Sequence, residues 1–73
     1  MIKELDTVIL TRDLPQHGLK RGDIGAVVMV HGDGDAFDVE FVALDGQTIA
    51  LETLRTTDIR RGEHEIQHAR ALA

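Results

Sequence analysis

The residues best suited to chemistry stand together in His64-Glu65-Ile66-Gln67-His68. The string fits H-E-x-x-H, in which a helix presents two zinc-binding histidines one turn apart and a glutamate as general base. A zincin also needs a third ligand, so that the glutamate can act on a zinc-bound water. Residues 69–73 hold no histidine, which removes the extended form of the motif. The remaining histidines are His17 and His31, and no spacing in the chain brings either to this segment. A helix of about ten residues is also marginal alone in water. The expectation is no catalytic residue and no cofactor, with His64 and His68 as the metal candidates for adventitious zinc or nickel.

Other chemistries fail on residue types. The chain has no cysteine and no serine, which excludes disulfides, thiolate metal sites and Cys or Ser nucleophiles together. Asp33-Gly34-Asp35 followed by Asp38 has the flavour of a calcium loop. An EF-hand loop needs acids at alternate positions, a bidentate Glu at its twelfth position and flanking helices. Here the third acid falls one place late and the flanks read as strands, so a hairpin turn is expected. No glycine-rich phosphate cradle precedes a helix. Asp13 and His17 share a loop with no nucleophile to serve.

The elements that must position any site are short strands. Thr7 to Thr11 is β-branched and apolar. Pro15 and Gly18 then impose a long loop that ends at Arg21-Gly22-Asp23. Ile24 to His31 is apolar on both faces, which predicts a central strand, covered on both sides or tightly curled. Gly25 marks a bulge or bend within it. Gly32 to Asp35 reads as a turn. Phe37, Val39 and Phe41 alternate with Asp38 and Glu40, the pattern of a half-buried strand. Asp45-Gly46 predicts a two-residue type I′ hairpin, after which Ile49 and Leu51 face inward and Leu54 closes the core. Thr57 to Arg60 is a last short strand, reached through a tight turn at Arg55-Thr56. Five such strands favour an all-β fold closed into a small barrel, because closure hides the sheet edges. The predicted organisation is an SH3-like barrel over residues 1–61 and a tail over 62–73, either helix or extra strand.

The stretches Met1 to Pro15, Gly18 to Val28, Val39-Glu40-Phe41 and Asp45-Gly46 resemble a family of small bacterial proteins known only as a domain of unknown function. The resemblance spans nearly the whole chain. It implies an SH3-like fold and a stand-alone bacterial protein, and it brings no assigned catalytic residue. Members of that kind tend to be encoded beside other small proteins, which implies a partner, as in a toxin–antitoxin or immunity pair.

Size and charge bound the function further. A chain of 73 residues is one domain with room for a core but not for a substrate cleft as well. No apolar run is long enough to span a membrane, and the start Met1-Ile2-Lys3-Glu4 lacks the basic and then apolar order of a signal peptide. With no cysteine, a cytoplasmic protein is expected. The net charge is −5, which disfavours phosphate backbones. Seven acids and no Lys or Arg lie between Arg21 and Arg55, so the central strands should form an acidic side. Lys20, Arg21, Arg55, Arg60 and Arg61 could form a basic end for a nucleic-acid contact. Single-strand binders stack bases on aromatics, however, and the two phenylalanines belong to the core face. The expected function is therefore protein–protein contact, with another protein or a second copy. The residues expected to carry it are Asp38, Glu40, Arg60 and Arg61, with Ile66 and Leu72 as apolar anchors in the tail.

Overall fold

Gly18, Gly22, Gly32, Gly34 and Gly46 all take positive φ, and each falls in a connection between strands. The chain is punctuated where its glycines stand, and the segments between them pair. The computed structural model describes residues 1–43 and 45–62. Within them are β1 (Thr7–Leu10), β2 (Ile24–His31), β3 (Ala36–Val42), β4 (Thr48–Leu54) and β5 (Ile59–Arg61). All neighbours run antiparallel in one sheet of order β4-β3-β2-β1-β5. The fold is all-β, as expected, with the apolar β2 at the centre of the sheet. Two 3-10 turns complete it, Pro15–His17 in the long first loop and Thr56–Asp58 before β5.

The core is the inner face of this sheet. Phe37, Val39 and Phe41 of β3 are buried against Val8, Leu10, Val27, Ala50, Leu54 and Ile59. The first loop adds Leu14 and Leu19, both buried and paired as a single β-bridge. A loop that contributes two leucines to the core is part of the fold. His17 also ties it to β4, since His17 Nε2 lies 2.7 Å from Glu52 Oε2.

Three local readings are corrected. First, the β3–β4 connection is longer than a two-residue type I′ turn. Ala43 N–H donates to Gln47 O at 2.9 Å, Gly46 N–H donates to Ala43 O at 2.9 Å, and only Gly46 of the Asp45-Gly46 pair has positive φ. That pattern belongs to a hairpin loop one residue longer, with glycine at the left-handed position. Second, the inward positions of β4 are Ala50 and Leu54, while Leu51 is 58% exposed and Ile49 packs only at the core margin. The register runs Phe41↔Ala50 and then Val42↔Thr48, so Ile49 is an extra residue in β4. One extra residue turns the later side chains over, because the strand period is two. Third, the irregularity in β2 lies at Val28, between Val27↔Val39 and Met29↔Asp38, and not at Gly25. Beyond it the outward Val28 and Met29 are exposed, so β2 is not covered on both faces.

Gly25 has a different role. A Cβ placed there would meet Val39 Cγ1 at 2.6 Å, Phe41 Cε1 at 2.8 Å and Glu40 O at 3.0 Å. All three belong to β3 at the centre of the sheet, where nothing can move aside cheaply. Gly25→Ala should therefore destabilise the protein by about 1–3 kcal/mol through overpacking. A lower midpoint of urea unfolding would show it; an unchanged midpoint would mean the two strands can part.

The end of β1 is clamped to the turn before β5. Thr11 N–H donates to Asp58 O at 2.8 Å and Thr11 Oγ1 to Thr57 O at 2.8 Å. Arg12 Nε donates to Asp58 Oδ1 at 2.7 Å, and Arg55 N–H donates to Asp58 Oδ2 at 3.0 Å. The Arg12 hydrogen bond, aided by that from Arg55, holds the Asp58 carboxyl below its ordinary 3.8 against the opposing effect of burial. A carboxyl lowered on folding stabilises the native state fully above its unfolded pKa, near 4. That contribution disappears as pH falls through the lower native value. Unfolding free energy should therefore drop below about pH 4, and Asp58→Asn should flatten this part of the profile when the two are compared by urea titration.

Candidate functional site

Residues directly opposite each other in an antiparallel ladder share a face. Opposite Asp38 are Met29 on β2 and Thr53 on β4. Opposite Glu40 are Ala26 and Leu51. Phe37, Val39 and Phe41 take the inner face, so these rows lie on the outer one. The outer face thus carries a line of carboxylates along β3, flanked by apolar side chains. Met29 is 50% exposed on the β2 flank and Leu51 58% on the β4 flank, while Val42 (47%) is exposed at the end of β3 in line with the acids.

The carboxylates are held in position. Thr53 Oγ1 donates to Asp38 Oδ1 at 2.7 Å, and His31 Nε2 stands 2.9 Å from the same oxygen. Thr48 Oγ1 donates to Glu40 Oε2 at 3.0 Å. The Thr53 hydroxyl, followed by His31, lowers the Asp38 carboxyl from its ordinary 3.8. Hydroxyl and imidazole donors orient a carboxylate while leaving further lone-pair positions for another donor. Asp38 is therefore ionised and aimed at neutral pH. Asp33, Asp35 and Asp45 are exposed in the turns on either side of β3 and add to the negative potential.

The expected cationic residues are elsewhere. Arg60 and Arg61 lie exposed on β5, separated from β3 by β2 and β1 in the sheet order. By register Arg60 shares the face of Ile9 and Ile24, and Arg61 that of Val8. Arg61 Nε is 3.8 Å from Asp6 Oδ2, and Arg12 is held by Asp58. Asp38 and Glu40 are neighbours along β3, while Arg60, though on the same face by register, and Arg61 stand at the far end of the sheet with β2 and β1 between. His64, Ile66, His68 and Leu72 lie outside the described residues. Among the described residues no group of three or more His, Asp or Glu side chains could hold a metal ion, and no helix is long and apolar enough to cross a membrane.

Sequence reasoning missed Met29, Leu51, Thr48, Thr53 and His31 as members of this surface. Alternation places Thr48 and Thr53 on opposite faces of an unbroken strand. Only the bulge at Ile49 sets both beside β3 acids, and no residue type signals it. Thr53→Val should raise the Asp38 pKa toward the ordinary carboxylate value, since the Thr53 hydroxyl contributes most to lowering it. Carboxyl-carbon NMR titration checks this, and an unmoved Asp38 would show that the hydroxyl does not hold it.

No curated protein and no solved structure matches the chain. The family model described as Domain of unknown function (DUF4926) matches residues 4–61, which takes in all five strands and both 3-10 turns. The chain belongs to the DUF4926 family.

Proposed function

We propose that the chain is a non-catalytic protein–protein interaction module of SH3-like architecture, and that the outer face of β2, β3 and β4 is its docking surface. The observation that carries this reading is the pair of rows Met29–Asp38–Thr53 and Ala26–Glu40–Leu51, an oriented acidic line between exposed apolar flanks. A partner that is both cationic and apolar satisfies both features. The apolar flanks supply contact area, and the carboxylates set register and speed encounter more than they add affinity. The SH3-like architecture is supported by the strand order and by the 3-10 turn immediately before β5. The resemblance of the sequence supports a toxin–antitoxin or immunity pair as the setting, with this chain as the antitoxin or immunity partner, and the lack of cysteine supports the cytoplasm as its place.

Nucleic acid fits this surface poorly. Phosphates would meet Asp38 and Glu40, and both phenylalanines are inside the core. The test is capture of partners by tagged protein from its own host, beside the variant carrying Asp38→Lys and Glu40→Lys. The expected result is a protein partner retained by the wild type and lost by roughly tenfold or more in the variant, about 1.4 kcal/mol, with circular dichroism unchanged. Equal retention by both forms overturns the docking face. Salt-sensitive retention of RNA or DNA in place of protein would move the reading to the basic residues.

A further inference from the structure

The sheet has two ends, and they are treated differently. At one end stands β5, three residues long, two of them arginines. Short, charged edge strands resist pairing with other chains. At the other end stands β4, seven residues long, with Glu52 as its only charged residue and no proline or lysine. Among the described residues β4 pairs with β3 alone. Alternate N–H and C=O groups along β4 therefore point away from the sheet, with no strand among the described residues to receive them. Glu52 does not guard this edge, because it is on the inward parity of Ala50 and Leu54 and is held by His17.

We infer that β4 receives an extended cationic segment of the partner as a sixth strand. The inference rests on the docking-face reading and names what occupies it. Main-chain hydrogen bonds to a sheet edge supply affinity, and alternate side chains supply selectivity. A strand added beside β4 would lie about 5 Å from it and about 10 Å from β3. Its outward Lys or Arg side chains then reach across Leu51 and Thr53 to Glu40 and Asp38, burying their methylene stems on Leu51. Alternating Lys and Val would place the cations on the acidic face and the valines at the rim of the core. A second copy of the chain fits this edge less well, since each copy carries −5 and would bring its own acidic line toward the other.

The test uses the whole chain and a synthetic strand-length peptide alternating Lys and Val. Its control is the same peptide N-methylated at the residues whose N–H groups would face β4. The expected result is binding that slows amide exchange at outward N–H groups of Thr48–Leu54, weakened about tenfold or more by N-methylation and abolished when Lys is replaced by Glu. Equal binding of the N-methylated peptide overturns strand addition and leaves the docking face standing. Failure of both peptides, while host partner capture still depends on Asp38 and Glu40, likewise overturns strand addition alone. Sedimentation showing a dimer with β4 amides already protected overturns it in favour of a second copy.

Discussion

The structure depends on a missing side chain. Gly25 lets Val39, Phe41 and the Glu40 carbonyl of β3 lie against the backbone of β2, at separations a Cβ would forbid. Gly25 is also opposite Val8 of β1, so three strands meet at this point. Close approach here seats Phe41 against Gly25, and Phe41 is with Phe37 one of the two largest fully buried residues. In a chain this small, where only about 60% of the unfolded surface is buried, both rings belong to the one core cluster. The rest of the fold is arranged around that contact. Leu14 and Leu19 fold in from the first loop, and the Arg12–Asp58 clamp holds β5 to the end of β1.

The same crossing governs the candidate surface. Once Val39 and Phe41 are turned inward against Gly25, Asp38 and Glu40 must face outward, since neighbouring residues of a strand take opposite faces. The bulges at Val28 and Ile49 then decide what stands beside each acid. Without the bulge in β2, Val28 would be the residue opposite Asp38. With it, Asp38 is opposite Met29. The acidic line and its apolar flanks are thus one consequence of core packing plus two single-residue insertions, and among the described residues β4 is the end of the sheet beside that surface.

Much of this was legible along the chain. The strand Ile24 to His31 was predicted with its observed limits, because an apolar run bounded by Gly22-Asp23 and Gly32-Asp33 has few other options. Phe37, Val39 and Phe41 were readable as core from period-two alternation, and so was the acidic character of the central strands. The inward set of β4 was not readable. Thr48 to Leu54 contains apolar residues of both parities, so its orientation rests on the loop length at Asp45-Gly46 and the bulge at Ile49. Both are settled by how β4 meets β3. The HEIQH string, the most suggestive motif in the sequence, lies outside the described residues and outside the span matched by the family model.

By itself the sequence determined the class and the exclusions. Alternation, turn glycines and short β-branched runs specify an all-β chain, and the lack of Cys and Ser removes whole chemistries, because both depend only on residue type and local spacing. The tertiary structure alone decided which residues share a surface. Face assignment depends on register, and register depends on bulges and on the one close contact at Gly25 that sets how β2 and β3 meet. Asp38, Met29 and Thr53 are far apart in sequence and adjacent in space for that reason.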